Sequence, residues 1–137
     1  MTDTERLTLP ELAAMASQGR RIAMVTAYDA SSARLADTAG LDIVLVGDSA
    51  GTTMLGYEST LPVTMDDMLL LTRAVTRVVR RAFVVADMPF GAYQPGEDEA
   101  LRNAIRFVKD AGADAVKLEG RAARSHASAR YWTRAFP

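Results

Sequence analysis

Three acidic residues, Asp48, Asp87 and Glu119, each follow a short aliphatic run by one or two positions. Such runs are typical of strands that are buried on both faces of a parallel sheet. In α/β folds the carboxyl ends of parallel strands share one edge of the sheet, where ligands bind. Three carboxylates at one edge repel one another unless a cation joins them, and oxygen donors without His or Cys suit Mg²⁺. The pattern predicts a metal site made by these three acids.

Two neighbouring side chains extend this prediction. Lys117 lies two residues before Glu119, so both side chains project from the same face of the strand. A lysine inside an apolar strand is hard to place in a core, whereas beside carboxylates it offsets their charge or binds an anionic substrate. Ser49 places a hydroxyl directly after Asp48. A loop cap or a solvated turn is the ordinary interpretation of any one of these acids, and the functional interpretation depends on their recurrence.

Strand and helix patterns alternate along the chain. Strands are predicted at residues 22–27, 41–46, 83–86 and 115–118. Helices are predicted at residues 8–17, 33–39, 64–79 and 97–111, mostly with glycine just past the end. This alternation predicts parallel strands with right-handed crossovers, and the fold class is α/β, of the parallel (βα)₈ TIM-barrel type. With 137 residues the chain corresponds to about the first four βα units. A small doubly wound sheet is the alternative, but its nucleotide-binding signatures are absent.

Two further sequence features concern the connections. Residues 51–63 are rich in Gly, Ser, Thr and Pro and predict a long loop, a length that is usually functional or disordered. Residues 39–46 and 111–118 share one plan, which consists of a helix stop, an aspartate and a buried strand. The arginines at the end of the third helix are interpreted as a solvated face that complements the helix dipole.

Composition excludes several classes of function. A net charge of −1 gives no reason to expect a nucleic acid or an acidic membrane as partner. The absence of Cys excludes disulfides, thiolate metal sites and Cys nucleophiles. The polar N-terminus is unlike a signal peptide, and no apolar run approaches the roughly 18 residues of a membrane helix. A cytoplasmic protein with no membrane partner is expected.

Several motifs occur in order and at fitting intervals between about residues 8 and 120. They are Thr26-Ala27-Tyr28-Asp29, Val46-Gly47-Asp48-Ser49, Ser59-Thr60-Leu61-Pro62-Val63-Thr64, Ala86-Asp87-Met88-Pro89-Phe90 and Val116-Lys117-Leu118-Glu119-Gly120. At these residues the chain resembles the 3-methyl-2-oxobutanoate (ketopantoate) hydroxymethyltransferase family.

The resemblance implies a (βα)₈ barrel enzyme of pantothenate biosynthesis, the route to coenzyme A. It implies transfer of a hydroxymethyl group from 5,10-methylenetetrahydrofolate to 3-methyl-2-oxobutanoate, which gives 2-dehydropantoate. In the family, acids matching Asp48, Asp87 and Glu119 surround Mg²⁺, and positions matching Asp48, Ser49, Asp87 and Lys117 contact the oxoacid. Mg²⁺ chelated by the carboxylate and keto oxygen of the substrate would stabilise the enolate that attacks the folate-borne methylene. A homo-oligomer is expected for an intact form.

The chain also departs from the family pattern. The family's general base is a Glu on a later strand, beyond Pro137, so no catalytic residue is assigned and this chain alone is expected to be inactive. Residues 1–120 are interpreted as the N-terminal half of the barrel. Residues 121–137, with four arginines and no acid, are interpreted as an out-of-frame tail, and a genuine divergent tail is the alternative. His126, the one histidine, lies in this tail and has no assigned role. The alternatives are a Mg²⁺-dependent oxoacid lyase or mutase of the related barrel superfamily, and a non-catalytic remnant or binding module.

Overall fold

The computed structural model describes residues 6–119. The helices in this part of the chain are α1 (Leu9–Ser17), α2 (Ala30–Thr38), α3 (Ala50–Thr53), α4 (Met65–Thr76) and α5 (Glu97–Lys109). The strands are β1 (Met24–Thr26), β2 (Ile43–Val46), β3 (Phe83–Asp87) and β4 (Ala115–Lys117). They form one sheet in the order β1-β2-β3-β4, and every neighbouring pair is parallel. The predicted alternation of strands and crossover helices is confirmed.

The sheet has two faces of different character, as the alternation of side chains along a strand requires. On the helix-covered face, Val44, Val46 and Val84 are fully buried with Met68 of α4 and Phe107 of α5. This layer is the main core, and its valines belong to the aliphatic runs from which the sequence predicts β2 and β3.

The opposite face corresponds to the inside of a barrel. Phe83 and Ala115 lie on it and pack against Leu12 and Met15 of α1. α1 begins in a capping box, in which the Thr8 backbone N–H and hydroxyl both donate to the Glu11 carboxylate at 2.7 Å. The N-terminal helix therefore covers the amino end of this face and leaves the carboxyl end free for a site.

The two repeated segments share one structural device. Asp42, just before β2, accepts a hydrogen bond from the Ala23 backbone N–H at 3.0 Å. Asp114, just before β4, accepts one from the Val84 N–H at 2.8 Å. Each aspartate thus joins its own strand to the preceding one, and each also pairs with an arginine: Asp42 with Arg81 at 3.0 Å and Asp114 with Arg6 at 3.4 Å.

The structure corrects three sequence predictions. The segment predicted as a loop from residue 51 contains most of α3, and α4 ends at Thr76 rather than at Val79. Arg81 is not a solvated side chain, because it donates hydrogen bonds to the carbonyls of Gly40 and Leu41 as well as to Asp42. A tertiary role of this kind leaves no mark in local sequence.

No helix within residues 6–119 is long and apolar enough to cross a membrane. The predicted tail and His126 lie outside the residues that the structure describes.

Candidate functional site

The predicted site residues lie where β3 and β4 end. Asp87 and Lys117 are register partners on these adjacent strands, so their side chains project from the same face of the sheet. Lys117 Nζ lies 2.7 Å from Asp87 Oδ1 and 2.6 Å from Glu119 Oε1. The ammonium group therefore lies between two of the predicted acids. Its role, either to offset their charge or to bind an anionic substrate, stays a prediction.

Asp87 is the buried member of this group, with 5% of the residue exposed. Burial raises the pKa of its carboxyl group, against the opposing effects of Lys117 and of a hydrogen bond from the Asp48 backbone. Oδ2 accepts that bond from the Asp48 N–H at 3.2 Å. Oδ1 is fully buried and faces the Lys117 ammonium group at 2.7 Å. The cation beside Asp87 in this structure is therefore Lys117.

The other two charged groups are more open to solvent. Partial burial of Lys117 acts to lower its pKa, but the hydrogen bonds and charges of Asp87 and Glu119 outweigh this effect and raise the pKa. Lys117 in turn lowers the pKa of the exposed Glu119. Lys117 is thus a cation placed between two carboxyl groups. The Tyr93 hydroxyl also donates to the Glu119 carbonyl at 2.5 Å, which ties the end of β4 to the loop that follows β3.

Ser49 follows the end of β2, and its hydroxyl lies close to the backbone of Gly47. Its Oγ is 2.8 Å from the Tyr28 hydroxyl. A Cβ at Gly47 would lie 2.8 Å from Ser49 Oγ and 3.4 Å from Asp87 Oδ2. Glycine at position 47 therefore leaves open the space between the Ser49 hydroxyl and the Asp87 carboxylate.

The three predicted metal ligands share one edge of the sheet, yet their carboxylates are not gathered directly. Asp48 reaches Asp87 through its backbone N–H, and Glu119 reaches it through Lys117. Within residues 6–119 no group of three or more His, Cys, Asp or Glu side chains is arranged to hold a metal ion. The metal role of these acids stays a prediction. Mg²⁺ is commonly bound through one or two carboxylates together with substrate oxygens. The buried Oδ1 of Asp87, now paired with Lys117 Nζ, is an oxygen donor of the kind that such a site uses.

Two residues of the site were missed as functional residues by the sequence reasoning. Tyr28 and Gly47 each occur within a motif that the sequence analysis quotes, but neither has a role there. The usable signal was position, since Tyr28 also stands just past a parallel strand, β1. The bond from Tyr28 to Ser49 spans 21 positions, so no local pattern could reveal it.

The sheet and its helices are similar to solved barrel enzymes. The chain superimposes on a phosphoenolpyruvate phosphomutase from Streptomyces platensis subsp. rosaceus with a TM-score of 0.63 and 22% identity, over 80% of this chain and 37% of that one. It superimposes on phosphonopyruvate hydrolase in complex with oxalate and Mg²⁺ with a TM-score of 0.62 and 20% identity, over 80% of this chain and 38% of that one. At these identities the likeness shows the fold, which in residues 6–119 is a parallel four-stranded sheet with alternating helices of the TIM-barrel type.

Sequence relatives give a narrower result. The ketopantoate hydroxymethyltransferase family profile matches residues 6–135, a range that includes most of the predicted tail. The chain is 57% identical over 120 residues to 3-methyl-2-oxobutanoate hydroxymethyltransferase of Moorella thermoacetica, covering 88% of this chain and 45% of the relative. It is 56% identical over 115 residues to the enzyme of Thermobifida fusca, covering 84% and 41%. The chain spans less than half the length of these relatives, and it belongs to the ketopantoate hydroxymethyltransferase family.

Proposed function

We propose that this chain carries the oxoacid-binding half of a 3-methyl-2-oxobutanoate hydroxymethyltransferase, acting in pantothenate biosynthesis with 5,10-methylenetetrahydrofolate as cosubstrate. The observation that carries the proposal is the buried Asp87, which is ion-paired to Lys117 at the carboxyl edge of the sheet. The family match supports the reaction, and the geometry supports the position of the site.

The side chains of the site suit a small anionic substrate. Lys117 is a partly exposed cation at the mouth of the sheet, so it can pair with the carboxylate of a 2-oxoacid. Ser49 offers a hydroxyl that can donate to a substrate oxygen. Asp48, Asp87 and Glu119 would hold Mg²⁺, which when bound polarises a keto oxygen and makes the neighbouring carbon more acidic.

The chain alone is proposed to bind the oxoacid without turning it over. Removal of a proton from the substrate carbon needs a general base, and no motif match gives that role to a residue of this chain. Glu58, Glu97 and Glu99 are not assigned to it. A homo-oligomer for an intact form and a cytoplasmic location remain predictions.

One alternative is a non-catalytic binding module. It shares the oxoacid site with the first candidate and differs in turnover alone. The alternative of an oxoacid lyase or mutase is less well supported, because the similarity to those enzymes is one of fold.

Titration calorimetry with 3-methyl-2-oxobutanoate, with and without MgCl₂, tests the proposal. We expect Asp87→Ala to weaken Mg²⁺-dependent binding about tenfold or more, which is about 1.4 kcal/mol. Asp66→Ala is the matched control, because the Asp66 side chain is 85% exposed and pairs with Arg106 rather than with a predicted site residue. Equal oxoacid affinity in the wild type and Asp87→Ala, whether or not Mg²⁺ is added, would remove Asp87 from the site.

A further inference from the structure

We infer that Tyr28 is a positioning residue that holds the Ser49 hydroxyl in the orientation needed to bind the oxoacid. The inference rests on the proposed function of Ser49 as a substrate contact. Tyr28 lies two residues past the end of β1, and its hydroxyl is 2.8 Å from Ser49 Oγ. Both residues are partly buried, so this hydrogen bond forms beside the site rather than in bulk solvent.

The first step concerns the freedom of a serine side chain. A serine hydroxyl can occupy three staggered positions and rotates its proton to suit its partner. Within residues 6–119, the hydrogen bond to Tyr28 is the one that Ser49 Oγ makes with another side chain. Without it, the hydroxyl is free to turn away from a ligand, and binding must then order it.

The second step concerns direction. Either oxygen can donate in this pair, but a phenol is the stronger donor. When Tyr28 donates to Ser49 Oγ, the serine keeps its own proton for another acceptor. An oxoacid is rich in acceptor oxygens and carries no donor when ionised, so this orientation is the one that a bound oxoacid requires.

The third step is the surface beneath the hydroxyl. A Cβ at position 47 would come within 2.8 Å of Ser49 Oγ and 3.3 Å of Thr26 Cγ2. Gly47 therefore lets the hydroxyl lie close to the backbone, near Asp87 Oδ2. The hydrogen bond from Tyr28 holds the Ser49 hydroxyl in place, and the Gly47 backbone, which carries no side chain, leaves room for it.

A double-mutant cycle on oxoacid affinity tests this inference in the 137-residue chain. Affinity for 3-methyl-2-oxobutanoate is measured by calorimetry in excess MgCl₂ for the wild type, Tyr28→Phe, Ser49→Ala and the double variant. We expect about 3- to 10-fold weaker binding in Tyr28→Phe, and a double variant no weaker than Ser49→Ala. Tyr57→Phe is the matched control, because Tyr57 has no hydroxyl hydrogen bond in the part of the chain that the structure describes, and it should bind like the wild type.

A purely structural role for Tyr28 would weaken binding equally with and without the Ser49 hydroxyl. Losses that multiply in the double variant would therefore overturn the inference. If Ser49→Ala weakens binding and Tyr28→Phe does not, the inference is wrong and the proposed function stands. If the wild type binds no oxoacid, or Ser49→Ala binds as well as the wild type, the proposed contact fails and the inference fails with it.

A second cycle uses no ligand. The four proteins are unfolded in urea, and the coupling between Tyr28→Phe and Ser49→Ala is read from their stabilities. A measurable favourable coupling is expected, because each single variant breaks the same hydrogen bond. Additive stabilities would mean that the bond is not formed, which would also overturn the inference.

Discussion

Lys117 and Asp87 are register partners on adjacent parallel strands, and their charged groups lie 2.7 Å apart at the carboxyl edge of the sheet. The pairing places a cation beside a carboxylate that has almost no access to water. Breaking a buried ion pair by removing one partner leaves the other uncompensated. Lys117 is protected from that outcome, because it also contacts the exposed Glu119. The site can therefore lose the charge of Asp87 without losing the fold.

Asp87→Asn should weaken oxoacid binding without lowering the free energy of unfolding. Burial raises the pKa of Asp87 above its ordinary value of 3.8, so the folded state binds the proton more tightly than the unfolded state. The resulting stability is fully present below about pH 3.8 and is lost as pH rises through the folded pKa. Asparagine is similar in shape and carries no charge, so a variant with asparagine at position 87 does not lose this stability as pH rises.

We expect Asp87→Asn to be at least as stable as the wild type at pH 7, with a gain of up to about 1 kcal/mol. The stability gain should shrink as pH falls toward 3.8. Urea unfolding between pH 3 and pH 8 measures both quantities. A variant clearly less stable than the wild type at pH 7 would show that the carboxylate stabilises the fold.

Asp42→Ala should be among the most damaging single changes at an acidic residue. Its carboxylate accepts the Ala23 N–H and pairs with Arg81, and removal leaves both groups without this partner. We expect a loss of about 2–3 kcal/mol in the free energy of unfolding. Asp66→Ala is the control, since an ion pair between exposed side chains contributes little. Equal stability of the two variants would contradict a structural role for Asp42.

The same carboxylate gives a pH dependence of opposite sign to that of Asp87. The hydrogen bond from Ala23, followed by the contacts with Arg81, lowers the pKa of Asp42 below 3.8. Its stabilisation is present above the unfolded pKa and is lost as pH falls through the folded value. The stability difference between the wild type and Asp42→Ala should therefore shrink in acid, as acid unfolding of the two proteins would show.

The sequence was sufficient to predict the architecture, because the order of strands and helices depends on the spacing of apolar residues and on the residues that end each element. Aliphatic runs, glycine stops and the acids after each strand predicted the four parallel strands and one edge that holds Asp48, Asp87 and Glu119. The sequence was insufficient to predict contacts between residues that belong to different βα units. The repeated aspartates before β2 and β4 were visible as a pattern, but their role in joining neighbouring strands depends on the sheet register. The contact of Tyr28 with Ser49 and the space at Gly47 exist only after the fold has formed.

Gly47→Ala should disturb the site while leaving the strands in place. The added methyl group would meet Ser49 Oγ at 2.8 Å, a distance that forces the hydroxyl to move. The nearby Asp87 Oδ2, at 3.4 Å, is in ordinary contact and needs little shift. We expect about tenfold weaker oxoacid binding and a stability loss of about 1 kcal/mol. Calorimetry and urea unfolding measure the two effects, and unchanged oxoacid affinity would show that the position of the hydroxyl does not matter.

The purified 137-residue chain should bind oxoacid and show no hydroxymethyl transfer. No residue of the chain is assigned as the base. Within residues 6–119, β1 and β4 are also the two edges of the sheet, with Met24 of β1 59% exposed. A sheet with two open edges cannot exclude water around a carbon held at its carboxyl end. The measurement is formation of 2-dehydropantoate from 3-methyl-2-oxobutanoate and 5,10-methylenetetrahydrofolate with MgCl₂.

Asp87→Ala is the control, because activity from a contaminating host enzyme would be the same in both preparations. Turnover that is present in the wild-type chain and lost in Asp87→Ala would prove this prediction wrong.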